Sequence, residues 1–532
     1  MDSSIQPFSF IDFYPERGMY NPGEEVCLIL ECETVTAGKY SFVMQVFHEI
    51  NLMIIRSEER ELASGRNKVK FTWQPPLNTP AGYGAAVSLE NPLSIPNKIE
   101  TAFDVLSDWT QFPRYGFVCD FSRLRENEEE TMQLLSKFHI NGLQFYDWQY
   151  RHDELVPPQE NYLDPLGRPL SLHTTKKLIT AAHDHGMAAM AYLAIYAASV
   201  SFWKSHPNWM LYDGEHKPIP FGTDFLGIMN PVAGGDWQRH LLNECHKVLR
   251  SLPFDGLHID QYGEPKTGFD MNKHPVDLPQ AFGDFVSNAV EEHPGKQVLF
   301  NAVGNWPIET LAASPTTFNY IEIWPPDIHY TDLVQIVRNA RRLSSEKPVV
   351  IALYLPADRA VNNQLADALI ISAGGTRIEV GENARLLSDP YFPKHEEIPY
   401  GLTQILRKQA DFIIRYENWF GPLIPESNEP DIKVPEGVEA FFRKGQRGVS
   451  ISLVNLKSES PLCWNEEHAE PDSFTSLEVE ICLEHSPKNI WLVTPDRSSF
   501  SPITLEFIER GKMTIITIPG LDVWDVLLIE FA

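Results

Sequence analysis

Apolar and polar positions along this chain follow two rhythms. In the first hundred residues the apolar runs are short and strand-like. FSFIDFYP, EEVCLILECE, YSFVMQVFHEI and NKVKFTW are rich in β-formers and are separated by Gly, Pro and Asn turns. Regular spacing of such runs predicts an immunoglobulin-like β-sandwich over residues 1–106. The stretch SDWTQFPRYG, with Trp109 and Pro113, forms the seam to the next domain.

From Tyr115 the rhythm changes to apolar runs alternating with longer amphipathic stretches such as TTKKLITAAHDHG and GDWQRHLLNECHKVLRSL. That alternation is the mark of βα units and a parallel sheet. Eight strand candidates are present: 115–121, 141–148, 187–196, 255–260, 297–304, 318–324, 348–355 and 374–381. Eight such units predict a (β/α)8 TIM barrel over 107–423, with 149–172 and 197–235 as long loops on its catalytic face. After Leu423 the β rhythm returns in VEAFFRK, GVSISLVNL, SLEVEICL, NIWLVTP, MTIITI and VWDVLLIEFA, predicting an antiparallel β-sandwich over 424–532. The expected fold class is therefore multidomain α/β plus all-β.

Composition narrows the partners. With 44 basic against 72 acidic residues the formal net charge is −28, which argues against a nucleic-acid partner, since that needs clustered cations. A neutral ligand suits this charge. Six cysteines match no zinc spacing and are too sparse for a disulfide scaffold. No apolar stretch approaches the ~18 residues of a membrane span. The start, MDSSIQPFSFIDFYPERG, lacks the basic-then-apolar pattern of an export signal. The chain is thus expected to be cytoplasmic as written, or secreted if a signal has been removed.

In a barrel the catalytic candidates are polar residues at the C-terminal ends of strands. Those ends carry Asp120; Tyr146, Asp147 and Trp148; Tyr192 and Tyr196; Asp260, Gln261, Tyr262 and Glu264; Asn301 and Asn305; Glu322 and Trp324; Tyr354 and Asp358; and Glu379 and Glu382. Carboxylates interleaved with Tyr and Trp around one rim describe a carbohydrate site. Glycosidic cleavage needs an acid to protonate the leaving oxygen and a carboxylate to attack the anomeric carbon or activate water. Asp260 and Glu322 are the best pair, because each closes an apolar strand where a charge is costly. The bland alternatives are a helix cap for Asp260 and an ion pair for Glu322; for Asp120, Glu379 and Glu382 the bland reading is favoured. The histidines form no metal-ligand spacing, there is no phosphate-cradling glycine loop, and no metal or cofactor is implied.

The stretches YGFVCDFS, NGLQFYDWQYRHDELVPP, YLDPLGRPLS, AMAYLAIYAAS, FDGLHIDQYGEP and NYIEIW, over roughly residues 107–420, resemble glycoside hydrolase family 66. That is the family of dextranases and cycloisomaltooligosaccharide glucanotransferases. The resemblance implies a retaining enzyme acting on α-1,6-glucan, with Asp260 as nucleophile, Glu322 as acid/base, and Tyr146 and Asp147 in the −1 subsite. Gln261, Asn301 and Trp324 are further sugar-binding candidates. In the cyclising transferases a carbohydrate-binding module is inserted within the barrel, and no loop here is long enough to hold one. Hydrolysis of dextran or isomaltooligosaccharides is therefore expected over cyclisation. A cyclising glucanotransferase, a non-catalytic carbohydrate-binding protein and a hydrolase of another α-glucan such as starch are the alternatives.

Overall fold

The computed structural model describes residues 7–76, 81–90, 98–427, 431–445, 447–458 and 462–531. Part of the amino-terminal stretch read for an export signal, residues 1–6, lies outside the described residues, as does Ala532 at the end of the last expected strand.

The amino-terminal part is two antiparallel sheets, one of Phe8–Pro15, Val26–Thr34 and Gly65–Trp73, the other of Asn51–Leu62, Gly38–His48, Ala81–Leu89 and Lys98–Val105. Their inner faces share a core that includes Phe13, Leu28, Phe42, Val46, Phe71, Tyr83 and Phe103. Two of these strands carry no apolar alternation in the sequence. Asn51–Leu62 is exposed along most of its length and contains Glu58, Glu59, Arg60 and Glu61. Ala81–Leu89 is instead buried almost throughout and is made mostly of small residues. Neither resembles a half-buried strand, so periodicity misses both.

The middle of the chain is a curled sheet whose eight main strands run parallel, each paired with the next in chain order. They are Tyr115–Val118, Gly142–Phe145, Ala188–Ala194, Gly256–Asp260, Gln297–Val303, Asn319–Glu322, Val349–Ala352 and Gly375–Ile378. All eight fall inside the expected runs, because strands buried on both faces read as continuous apolar stretches. Directly after the eighth, Val380–Gly381 returns to the first strand, with Gly381 opposite Phe117. A Cβ on Gly381 would stand 2.3 Å from the Phe117 ring, so this approach requires glycine. Two short antiparallel strands, Arg385–Leu386 and Glu396–Glu397, bring the sheet to eleven strands.

Helices such as Leu172–Asp184, Asp236–Ser251, Leu278–Glu292 and Tyr330–Leu343 connect the parallel strands. Each turns an apolar stripe toward the sheet, as Leu178, Ile179 and Ala182 do in the first of them. Because the eight main strands run the same way, Asp260 and Glu322, the last residues of the fourth and sixth, reach the same rim. Residues 149–172 form a loop ending in a two-stranded hairpin, and 197–235 hold a short helix and a three-stranded sheet.

The carboxyl-terminal part is again two antiparallel sheets, of five and four strands, around Ile451, Leu453, Val479, Ile481, Leu492, Ile516, Ile518 and Leu527. The helix Tyr400–Arg415 braces the amino-terminal sheet. Its buried Asp411 Oδ1 accepts from Thr101 Oγ1 at 2.9 Å and the Ala102 N–H at 2.8 Å.

Candidate active site

The rim of the parallel sheet opens into a cavity of about 360 Å³. Asp260 and Glu322 both line it, joined by one atom. Asn301, on the fifth strand between them, donates from its single Nδ2 to Asp260 Oδ1 at 2.8 Å and to Glu322 Oε2 at 2.7 Å. Those two oxygens therefore lie no more than about 5.5 Å apart, the two bonds laid end to end. Other donors also reach both carboxylates. Asp260 Oδ1 accepts the Gln261 N–H at 2.9 Å, and Oδ2 accepts the Tyr192 hydroxyl at 2.8 Å. Glu322 Oε1 accepts from Trp324 Nε1 and from the Tyr354 hydroxyl, both at 2.9 Å.

Burial raises both carboxyls, since the charged form loses water. Burial and the facing Glu322 charge push Asp260 up to about 7, while the Tyr192 and Asn301 donors oppose the rise. Glu322 is raised as well, by burial, against its donors Asn301, Tyr354 and Trp324. Two like charges this close share a proton near neutrality, and the titration belongs to the pair.

The other expected residues separate into two groups. Tyr146, Asp147 and Trp324 line the cavity. Tyr146 packs its ring 4.9 Å from Tyr192, and Trp324 leaves 38% of its surface exposed beside the carboxylates. Asp147, at φ 57°, is pushed up to about 6, chiefly by burial. Gln261 and Asn301 also border the cavity, but their amide nitrogens are engaged within the protein. Gln261 Nε2 donates to the Trp306 carbonyl at 3.2 Å and its Oε1 accepts the Gly263 N–H at 2.8 Å, so this side chain braces the loop. Asn301 spends its amide nitrogen on the two carboxylates.

Tyr192 and Tyr354, which hold those carboxylates, stand out in the sequence only as rim residues. Aromatic side chains at strand ends are equally common as packing, and nothing local in the sequence separates the two uses. His258 is neutral and buried, with Tyr115 Oη 3.1 Å from its Nδ1. Glu382 is held near 2, and its carboxylate takes Arg125, the Cys119 thiol at 3.1 Å and the Asp120 N–H at 3.3 Å. Cys119, Glu382 and His395 form a group of potential metal ligands among the described residues. Arg125 already neutralises its carboxylate, and His395 Nδ1 lacks the partner a ligating histidine normally has.

Residues 15–528 match the family model described as glycosyl hydrolase family 66. A cycloisomaltooligosaccharide glucanotransferase of Niallia circulans is 27% identical over 435 residues, covering 76% of this chain and 44% of that protein. A dextranase of Streptococcus salivarius is 22% identical over 566 residues, covering 85% and 68%. The chain thus spans less than half the length of that glucanotransferase. Among solved structures, a cycloisomaltooligosaccharide glucanotransferase of Paenibacillus sp., complexed with cycloisomaltoheptaose, superposes with a TM-score of 0.89 at 19% identity. That match covers 98% of this chain and 99% of the other.

Proposed function

The chain belongs to glycosyl hydrolase family 66, and from that premise we propose that it hydrolyses α-1,6-glucosidic bonds of dextran or isomaltooligosaccharides with retention of configuration. We read the curled sheet as a (β/α)8 barrel over 107–423 that carries the site. The flanking β-sandwiches are read as 1–106, immunoglobulin-like, and 424–532.

One observation carries the mechanism: a single nitrogen, Asn301 Nδ2, bonds both carboxylates. Retaining pairs stand about 5–5.5 Å apart, whereas inverting pairs need about 6.5–9.5 Å to admit a water between them. The bridge leaves no such room between Asp260 Oδ1 and Glu322 Oε2. In this reading Asp260 attacks C1 of the glucosyl unit as Glu322 gives its proton to the departing O6. A glucosyl ester of Asp260 results. Glu322, now ionised, takes a proton from water, whose oxygen attacks C1 and frees Asp260. The two inversions restore the starting configuration.

The proton belongs on Glu322 before the first step. Oε1 is occupied by two donors, while Oε2 accepts only the shared amide and keeps a lone pair for it. Asp260 meanwhile is anchored by a main-chain N–H that cannot swing away. In this reading Tyr146, Asp147 and Trp324, which line the cavity, grip the sugar.

Water is the proposed acceptor because, among the described residues, no loop of the central sheet is long enough for an inserted binding module. The second reading, cyclising transfer, is favoured by the similarity to glucanotransferases. Incubating the protein with dextran, beside Asp260→Ala, tests both. Linear isomaltooligosaccharides absent from the variant support hydrolysis, and cyclic products support transfer. Cleavage of starch but not dextran overturns the linkage assignment.

A further inference from the structure

The motif YLDPLGRPLS is left without a task by the two carboxylates and their donors. In the fold it is the hairpin Asn161–Leu163 and Pro169–Ser171, paired antiparallel beside the cavity. Its tip is organised by one buried carboxylate. Asp164 Oδ1 accepts the N–H groups of Leu166 at 3.0 Å and Arg168 at 2.7 Å, and Oδ2 accepts Arg168 Nε at 2.6 Å. The guanidinium so held reaches a second carboxylate, with Arg168 Nη2 3.3 Å from Asp147 Oδ2. Its other neighbour is the Tyr391 ring, 5.8 Å away.

We infer that Arg168 is a positioning residue, delivered by this hairpin to hold the Asp147 carboxylate toward the cavity as an acceptor for ligand hydroxyls. The part about hydroxyls rests on the glucan reading; the hold on Asp147 does not. Asp147 has a left-handed backbone, a conformation that a non-glycine residue keeps only where its surroundings fix it. A planar guanidinium suits the task because it satisfies Asp164 through Nε and Asp147 through Nη2 at once, in fixed directions. A lysine ammonium presents a single point charge and cannot span both.

The charge balance agrees. Asp164 on the hairpin repels the Asp147 charge and burial disfavours it, while Arg168 and a hydrogen bond from Gln149 favour it. The tyrosines that also face Asp147 (146, 192, 196 and 391) are neutral donors at ordinary pH. Arg168 is thus the cation that keeps Asp147 near 6. Without it, the forces that remain raise Asp147 further.

The test uses the full chain labelled with 13C at the aspartate carboxyls, with Asp147→Asn to identify the Asp147 signal, and titrates Arg168→Met and Arg168→Lys. Arg168→Lys keeps a partner for buried Asp164 should Arg168→Met fold poorly. The expected result is an Asp147 titration about one pH unit or more higher in Arg168→Met, with Arg168→Lys between it and the unaltered protein. An Asp147 signal that titrates unchanged in both variants overturns the inference. With isomaltotetraose as substrate, KM should rise in Arg168→Met more than kcat falls, and should recover as pH increases. Added to Asp147→Asn, Arg168→Met should change KM little further. An equal loss at every pH, repeated in full on the Asp147→Asn background, also overturns it. A shifted Asp147 titration in a protein that cleaves no α-1,6-glucan upholds the link between the two residues and removes the glucan reading instead.

Discussion

Tyr146 and Phe392 lie face to face, their ring centroids 4.3 Å apart and their planes within 9° of parallel. The stack joins the end of the second parallel strand to the loop after the eighth, so the cavity wall is closed by rings from distant parts of the chain. Phe392→Ala should therefore loosen Tyr146. Buried Phe→Ala changes cost about 3–5 kcal/mol, so the melting temperature should fall by several degrees. KM for isomaltooligosaccharides should rise more than kcat falls. A lower melting temperature with KM unchanged would show that the stack braces the loop without shaping the sugar site.

The assignment of roles to Asp260 and Glu322 predicts two different chemical rescues. Glu322→Gln should lose about 10²–10⁴-fold in rate on natural glucan, and much less on a glucoside whose leaving group needs no proton. Added azide should then speed turnover of such a glucoside and give the α-glucosyl azide, because it meets the covalent intermediate. Asp260→Ala with azide should give the β-anomer, because azide replaces the nucleophile. Product anomers measured by NMR decide the matter, and exchanged anomers would reverse the two roles.

Removing the bridge should disturb both carboxyls together. Asn301→Ala deletes a donor that favours the ionised form of each, and a hydrogen bond to a charged group contributes about 1.5–3 kcal/mol. Both carboxyls then rise, so the acid limb of kcat/KM, set by ionisation of the pair, moves to higher pH. A pH–rate profile of Asn301→Ala with unmoved limbs would refute the bridge's electrostatic role.

Asp260 should cost stability as pH rises. Asp260 titrates together with Glu322, and its value of about 7 lies above the ordinary 3.8, so between these pH values the folded pair holds a proton that the unfolded state has released. Stability contributed at this site is greatest below about pH 4, declines as pH climbs to 7, and is level above that. Asp260→Asn should match the unaltered protein near pH 4 and exceed it at pH 8, by about 2 kcal/mol once the open cavity is allowed for. Thermal melts across that range measure the difference, and a gap independent of pH would contradict the raised value.

The central sheet was legible because its strands are buried on both faces and each must be apolar along its whole length, so all eight stand out. Asp260 and Glu322 were legible for the same reason: a carboxylate ending LHID or YIE is conspicuous against that background. Strand Asn51–Leu62 was not legible, because exposed Glu and Arg along it erase any apolar rhythm. Gln261 and Asn301 were legible as rim residues but not in their tasks. Asn301 reaches the two carboxylates across 41 and 21 residues of chain, and Gln261 turns to Trp306 and Gly263. Tyr192 stands 68 residues from the Asp260 it holds.

The order of residues alone thus fixes which stretches of the central sheet are strands, which way they run, and which carboxylates end them, since burial writes its periodicity locally. Which donors meet those carboxylates, and that one amide nitrogen serves both, emerges only when distant stretches of chain are folded together. Such contacts are set by how the sheet curls and by hydrogen-bond geometry resolved to tenths of an ångström, and neither leaves a periodic trace along the chain.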